Sequence, residues 1–256
     1  MSSPRFSSYI VCTTPRSGST LLCMLLATTK KAGSPGSHFH APSLDQWFDA
    51  YGLTDARFAT RHAALRAVFD AALRRGTGGT GVFGLRMQRG SFGYFMEQLD
   101  TLHPDCASDI DRIEAAFGPT LFVHLTRRDK LAQAVSRTMA EQTGLWHRAA
   151  DGSELERLGP AREPRYDRKT IERHMAELIA LDAAWEDWFA REEVDPLRID
   201  YDALAADPRG VLAGVLDALG LDRTIAQGIV PPTAKLADAT SRTWIERYRV
   251  EEHPSA

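Results

Sequence analysis

Cysteine is scarce in this chain, whose 256 residues contain only Cys12, Cys23 and Cys106. These cysteines show neither metal-site spacing nor a disulfide framework, so we predict no bound metal and free thiols in a reducing, cytoplasmic compartment. No apolar run approaches the length of a transmembrane helix. An excess of positive charge is missing too, because 31 lysines and arginines face 34 aspartates and glutamates. The net charge of −3 argues against nucleic acid as a main partner.

The chain does contain an alternation of short apolar strands with helical patterns, and we interpret residues 1–256 as one domain. Buried strands are predicted at residues 9–11, 82–85, 120–126 and 197–200. Helices are predicted at residues 19–26, 43–48, 55–74, 130–142, 167–192 and 211–219, with a turn-rich segment at 31–42 and an exposed loop at 148–166. This order is typical of an α/β fold with a parallel sheet, whose ligand lies beyond the carboxyl ends of the strands.

The most informative segment follows the first strand. It consists of Thr14, Pro15, Arg16, Ser17, Gly18, Ser19 and Thr20. A strand, a tight turn and a helix N-terminus together present backbone N–H groups, the positive end of the helix dipole and hydroxyl donors. Arg16 adds a fixed charge, so the segment predicts a site for a phosphate or sulfate group. The alternative is an ordinary strand–turn–helix in which a serine caps the helix.

This loop differs from the loop that binds nucleotide triphosphates, which reads G-x-x-x-x-G-K-[ST]. The first glycine is missing, and an arginine precedes Gly18 where the motif has a lysine after its glycine. Ser19 and Thr20 have hydroxyls suited to Mg²⁺, but no strong strand ending in aspartate follows in the Walker B manner. A P-loop small-molecule kinase is therefore an alternative that these departures disfavour.

A second basic segment follows the strand at residues 120–126. Arg127 and Arg128 stand where this strand meets a helix, and Ser136 follows Arg128 by eight residues. Taken alone, the segment is more simply interpreted as a basic turn followed by a helical serine without a ligand. Together with the first loop, it predicts two anion sites at one edge of one sheet, suited to a ligand with separated 5′ and 3′ phosphate-type groups.

With both motifs in view, the chain resembles sulfotransferases that use 3′-phosphoadenosine 5′-phosphosulfate (PAPS). Residues 122–136 and 141–146 are similar to the bacterial trehalose 2-sulfotransferase family, and residues 9–26, 39–52 and 199–204 resemble it as well. The resemblance implies a P-loop-like three-layer α/β fold with a central parallel sheet flanked by helices. It also implies a homodimer. The reaction it implies is metal-independent sulfuryl transfer to a hydroxyl of a small-molecule carbohydrate or a glycolipid, with a trehalose-like sugar among the candidates.

The same resemblance assigns roles to residues of both motifs. It implies that residues 14–20 bind the 5′-phosphosulfate and that Arg128 and Ser136 bind the 3′-phosphate. It further implies that Arg16 assists the departing bridging oxygen, for which a permanently charged guanidinium is suited. Apart from the resemblance, Trp146 and His147 are candidates for contact with a sugar, because aromatic faces stack on apolar sugar faces; packing at a helix end is the favoured alternative.

The chain departs from that family at the base that accepts the proton of the acceptor hydroxyl. Trehalose-type enzymes carry acidic residues before an aromatic–Phe pair, whereas Gly36 and Ser37 stand here. His38 and His40 are the nearest substitutes, since imidazole is a competent base near neutral pH; the alternative is that both belong to a polar loop. Less favoured bases are Asp45, Asp49, Glu97 and Glu141. A nucleotide-binding protein that has lost catalysis is therefore a further alternative.

Overall fold

The computed structural model describes residues 4–54, 57–148, 153–230 and 239–252. Helices and strands alternate along most of this chain. In chain order they are β1 (Ser8–Thr13), α1 (Ser19–Thr28), α2 (Leu44–Tyr51), α3 (Arg61–Thr77), β2 (Phe83–Gln88), α4 (Arg89–Leu102), α5 (Asp109–Phe117), β3 (Thr120–Thr126), α6 (Lys130–Thr143), β4 (Leu145–Arg148), β5 (Glu154–Arg157), α7 (Arg168–Arg191), β6 (Leu197–Asp200), α8 (Tyr201–Ala206), α9 (Pro208–Ala218) and α10 (Ala239–Glu252), with a 3₁₀ turn at Arg223–Gly228 before α10.

Four of the strands form a parallel sheet in the order β2–β1–β3–β6. Every residue of β1 is buried, and its apolar side chains alternate between the two faces of the sheet. Tyr9 and Val11 enter one core, whereas Ile10 and Cys12 enter the other. A strand buried on both faces reads as a continuous apolar run, which explains the sequence of β1. The predicted α/β fold with a parallel sheet is confirmed.

Helices cover both faces of this sheet, which gives three layers. The core on one face is rich in aromatic residues, contributed mainly by α2, α3, α4, α5 and α7. The core on the other face is aliphatic and joins α1 and α9 to the sheet. Trp185 of α7 is fully buried in the aromatic core, and its indole Nε1 donates a hydrogen bond to the carbonyl of Thr13 at 3.0 Å. The aromatic core thereby fixes the end of β1, where the functional loop begins.

Several boundaries differ from the sequence predictions. The helix predicted at 55–74 begins at Arg61, because the side chain of Thr60 accepts the Ala63 N–H and caps it there; residues 55–56 lie outside the described part of the chain. The segment predicted as a loop at 148–166 contains β5, which pairs with β4 in an antiparallel hairpin. Helices α4 and α5 had no predicted counterpart. None of the described helices has the length and apolar character needed to cross a membrane.

Candidate anion-binding site

A cavity of about 1330 Å³ opens at the carboxyl ends of the parallel strands. Residues 14–20, here named the anion loop, form part of its wall. The wall includes Pro15, Arg16, Gly18, Ser19 and Thr20 from this loop, Arg86 and Gln88 from the end of β2, Arg127 after β3, Ser136 of α6, Tyr201 after β6, and Trp146, His147 and Glu156 from the β4–β5 hairpin. The structure thus brings the two predicted basic segments to one cavity, at the sheet edge where the parallel topology requires it.

The anion loop turns sharply through two residues in the left-handed region. Arg16 has φ = 64° and Gly18 has φ = 88°. A Cβ atom at Gly18 would lie 2.6 Å from Cδ2 of Tyr201, which is far inside van der Waals contact. Glycine is therefore required at this position for two reasons, its positive φ and the close approach of an aromatic ring.

The N-terminus of α1 faces the cavity without a side-chain cap. Gly18 is its N-cap residue, so the capping serine considered above is not formed, and Ser19 and Thr20 begin the helix. Each other α-helix whose N-cap is described has a side-chain acceptor at that position, except α4, which begins at Arg89 after Gln88 and also meets the cavity. The first amides of a helix have no acceptor within it, so α1 offers unpaired N–H groups to an anion.

Two members of the predicted motif support the loop from beneath. Thr14 and Ser17 are fully buried and are not part of the cavity wall. The Thr14 hydroxyl donates to Asp182 Oδ1 at 3.1 Å and accepts from Gln133 Nε2 at 3.1 Å. The same Gln133 amide donates to the Pro15 carbonyl at 2.7 Å, and the Ser17 hydroxyl bonds that of Thr13. These bonds hold the backbone of the loop in place without using its amides at the mouth of the cavity.

Arg16 joins the anion loop to two other elements. Its Nε donates to Ser136 Oγ of α6 at 3.0 Å, and its Nη1 donates to the carbonyl of Trp146 in β4. Burial, with a smaller contribution from Arg127, lowers the pKa of Arg16 to about 10. Because that value is still well above neutral, the guanidinium keeps its charge at pH 7, and its desolvation favours an anionic ligand.

Several guanidinium groups on the wall lack a carboxylate partner among the described residues, and three of them lie at the carboxyl ends of the strands. Within the described part of the chain, Arg16, Arg86 and Arg127 have no carboxylate oxygen within 4.0 Å. Arg86 donates to Thr20 Oγ1 at 2.7 Å and to Ser37 Oγ at 2.9 Å. The guanidinium of Arg127 lies 4.5 Å from the ring centroid of Tyr201, and its buried Nε has no hydrogen-bond partner. A protein of net charge −3 thus keeps these guanidinium groups free of carboxylate partners at the cavity, where an anion can bind them.

The two residues predicted to bind a 3′-phosphate lie in different settings. Ser136 lines the cavity, where its hydroxyl accepts the hydrogen bond from Arg16. Arg128 is not part of the wall; its side chain is 85% exposed, and its Nε lies 2.8 Å from Asp200 Oδ2. Its neighbour Arg127 lines the cavity instead. Adjacent arginines after a strand face different ways, and the sequence alone gave no means to tell which one meets the cavity.

The two predicted histidines are also placed differently. His38 is buried outside the cavity wall, and its Nε2 donates to the Ser34 carbonyl at 3.1 Å. Burial lowers the pKa of His38, since desolvation disfavours the imidazolium. His40 is exposed and lines the cavity. None of the four less favoured carboxylates contributes to the wall, and Ser37 lines it where the resemblance led us to expect an acidic residue.

The β4–β5 hairpin supplies site residues that the sequence prediction missed or left open. His147 Nε2 lies 3.0 Å from Thr20 Oγ1 and 3.4 Å from Oε2 of Glu156, its cross-strand partner. Burial, followed by the charges of Arg16 and Arg86, lowers the pKa of His147 to about 4. The sequence predicted Trp146 and His147 as candidate sugar contacts. No feature of the sequence indicated Glu156, because only the pairing of β5 with β4 brings it to the cavity.

The chain is similar to known sulfotransferases along most of its length. The model of the family described as Stf0 sulphotransferase matches residues 8–251. The trehalose 2-sulfotransferase of Mycobacterium tuberculosis (strain ATCC 35801 / TMC 107 / Erdman) is 31% identical over 95% of this chain and 94% of its own length. That of Mycolicibacterium smegmatis is 29% identical with the same coverage. Among solved structures, the sulfotransferase domain of the Synechococcus PCC 7002 olefin synthase matches with 17% identity and a TM-score of 0.44, covering 97% of this chain and 89% of its own.

Proposed function

The chain belongs to the Stf0 sulfotransferase family, and on this premise we propose that it transfers the sulfuryl group of PAPS to a hydroxyl of a carbohydrate or glycolipid. One observation carries the proposal. The uncapped N-terminus of α1 meets Arg16, Arg86 and Arg127 on one cavity wall, and no carboxylate neutralises these three charges among the described residues. A donor with a sulfuryl group and two phosphates brings the negative charge that these three guanidinium groups lack as partners.

Room for a second substrate supports transfer to a separate acceptor. The cavity of about 1330 Å³ exceeds the roughly 300–1,000 Å³ of a pocket for one ligand. Both curated relatives are named as trehalose 2-sulfotransferases, so we propose a trehalose-like sugar as the first acceptor to test. Trp146 lines the cavity with an aromatic ring of the kind that stacks on sugars, and the Arg16 guanidinium lies 6.0 Å from the centroid of that ring. A cytoplasmic location and a homodimer stay predictions from the sequence.

The reaction requires positioning and charge stabilisation, as phosphoryl transfer does. We propose that the amides at the start of α1 hold the 5′-phosphate. The oxygen of the acceptor hydroxyl attacks sulfur while the bond from sulfur to the bridging phosphate oxygen breaks and its electron pair stays on that oxygen. Arg16, charged at pH 7 and fixed by Ser136 and the Trp146 carbonyl, would stabilise the negative charge on the departing oxygen.

The donor assignment is tested by ligand stabilisation. We expect the product nucleotide 3′,5′-bisphosphoadenosine (PAP), at about 100 times its Kd, to stabilise the fold by about 2.7 kcal/mol, or roughly 5–10 °C in Tm. ATP with Mg²⁺ should give a much smaller shift. The larger shift with ATP would favour a kinase. Stabilisation by PAP with no radiolabelled sulfate passed from PAPS to trehalose, maltose or glucose would favour a binding protein without catalysis.

The 3′-phosphate assignment makes a separate prediction. The exposed ion pair of Arg128 with Asp200 is worth at most about 1 kcal/mol, so Arg128 can exchange this partner for a phosphate. We expect Arg128→Ala to weaken PAP binding about 10- to 100-fold, the equivalent of about 1.5–3 kcal/mol for a lost charged hydrogen bond. The affinity for adenosine 5′-phosphate, measured by calorimetry, should be unchanged. An equal loss for both nucleotides would instead assign Arg128 a general electrostatic role.

A further inference from the structure

Transfer to a hydroxyl releases a proton, and the cavity wall must offer a group to accept it. Two carboxylates of the wall are already engaged, because Asp129 caps α6 and Glu177 pairs with two arginines. Asp202 also lines the wall, where its charge acts on Arg127, but it forms no described contact with the anion loop. His40 lines the wall, but it forms no described contact with the anion loop. His147 and Glu156 form the acid–base pair that reaches this loop, through Thr20.

A chain of hydrogen bonds links Arg86, Thr20 and His147. Arg86 is always a donor, so Thr20 Oγ1 accepts from its Nη1 at 2.7 Å. The hydroxyl proton of Thr20 is then free to point at His147 Nε2, 3.0 Å away. In the tautomer with its hydrogen on Nδ1, the neutral imidazole has its lone pair on Nε2 and accepts this hydroxyl proton at the start of α1. Glu156 Oε2, at 3.4 Å from the same nitrogen, is placed to receive an N–H once Nε2 is protonated.

The charges around His147 depend on the donor. Arg16 faces the imidazole from the anion loop, Arg86 from β2 and Glu156 from β5. The two arginines and burial keep the imidazole neutral at pH 7, with its pKa at about 4. A polyanion bound to the same two guanidinium groups offsets their charge and therefore raises the pKa of His147. The base becomes stronger when the donor is in place.

The hairpin that carries the pair is held at its base. The Leu158 N–H donates to the Gly144 carbonyl at 2.8 Å, and Arg157 donates to the Thr143 carbonyl at 2.6 Å. Arg16 fixes the same strand through the Trp146 carbonyl. These contacts join the hairpin to α6 and to the anion loop, so the position of His147 relative to the loop is set by the fold.

We propose that His147 Nε2 is the base that accepts the proton of the acceptor hydroxyl and that Glu156 stabilises the resulting imidazolium. This inference rests on the proposed function. As the acceptor oxygen bonds to sulfur, its proton passes to Thr20 Oγ1 while the Thr20 hydroxyl proton passes to Nε2. The bond from sulfur to the phosphate oxygen breaks with its electron pair on that oxygen. The proton later leaves to solvent, so the products are the sulfate ester, PAP and one proton. His147 then serves where Gly36 and Ser37 offer no carboxylate.

The test compares His147→Gln with the matched variant His40→Gln, a histidine of the same wall. We expect His147→Gln to lower kcat for transfer from PAPS to trehalose at least 100-fold, within the range for a lost general base. Its Kd for PAP, measured by calorimetry, should stay within about threefold of the wild-type value. The control His62→Gln, at an exposed histidine of α3 outside the cavity wall, should keep kcat within about threefold, and His40→Gln should lose much less than His147→Gln. The proposal is overturned if His147→Gln keeps near wild-type kcat, or if His40→Gln is the variant that loses it.

The pH dependence tests the role of Glu156, which is proposed to position and stabilise rather than to react. Transfer needs neutral His147, so kcat should fall as the pH drops through its pKa in the ternary complex, which lies above about 4. Glu156→Gln removes a charge that favours the imidazolium, so the falling limb should move to lower pH and the maximal kcat should decrease. If the acidic limb of the kcat–pH profile does not move in Glu156→Gln, Glu156 does not stabilise the imidazolium of His147. Wild-type protein that neither binds PAP nor transfers sulfate would contradict the proposed function itself, a result distinct from failure of the His147 variant alone.

Discussion

Replacing Arg16 with alanine is expected to lower kcat for sulfuryl transfer by about 10²–10³-fold, the usual effect of removing one donor that stabilises developing charge. The guanidinium is mostly buried on the cavity wall and has no carboxylate partner within 4.0 Å among the described residues. Its charge is therefore available to an anion in surroundings of low polarity, where an electrostatic interaction is stronger than in water. Radiolabelled transfer from PAPS to trehalose measures the loss.

The variant Arg16→Lys separates the effect of the charge from the effect of the guanidinium geometry. Lysine keeps the charge but is a compact cation without the planar fork of arginine, so it cannot serve both Ser136 and the Trp146 carbonyl in the same way. We expect the kcat of Arg16→Lys to lie between those of Arg16→Ala and the wild-type protein. Urea unfolding provides the control, because Arg16 also links the anion loop to α6 and β4. Wild-type turnover by Arg16→Ala in a folded protein would remove Arg16 from the mechanism.

The local part of the site could be predicted from the sequence. A short apolar run, a turn and a helix start are consecutive in the chain, so residues 14–20 carry the geometry of the anion loop in their own order. Even so, the sequence did not separate the residues that line the cavity, such as Ser19, from Thr14 and Ser17, which support it from beneath. That distinction depends on Gln133 and Asp182, which lie more than 100 positions further along the chain.

The rest of the site depends on tertiary contacts that leave no local pattern. Glu156 stands in a polar segment that reads as an exposed loop, and it reaches the cavity only because β5 pairs with β4. Helix α4 was missed for a related reason. Its Gly90 and Gly93 weaken the helical signal, whereas its buried face, with Phe92, Phe95 and Leu99, is stabilised by the aromatic core.

The same reasoning explains why the base could not be assigned from sequence. Proximity along the chain to Gly36 and Ser37 favoured His38 and His40, but the fold buries His38 against Phe83 and leaves His40 exposed. It brings His147, more than 100 positions further on, to Thr20 instead. A proton acceptor is defined by its distance from the reacting atoms, and sequence separation does not measure that distance.

Substituting Gly18 with alanine tests whether this loop geometry is what binds the donor. An L-residue at φ = 88° costs about 1–2 kcal/mol, and the overlap of its Cβ with the Tyr201 ring at 2.6 Å costs about 1–3 kcal/mol more. The loop must move to relieve this strain, and its amides move with it. We expect the free energy of unfolding to fall by about 2–5 kcal/mol. The affinity for PAP should fall about 10²-fold, as charge-assisted hydrogen bonds at about 1.5–3 kcal/mol each are lost.

Gly90→Ala is the matched control, because Gly90 lines the same cavity and an added Cβ there meets no atom within 4 Å. Within α4 the new methyl group should leave stability unchanged or raise it by up to about 1 kcal/mol, with PAP binding intact. A double variant, Gly18→Ala with Tyr201→Ala, removes the overlap but keeps the strained φ, so part of the lost stability should return. If Gly18→Ala alone bound PAP as tightly as Gly90→Ala, the close turn at Gly18 would not be what positions the amides, and the donor would have to be held by the arginines alone.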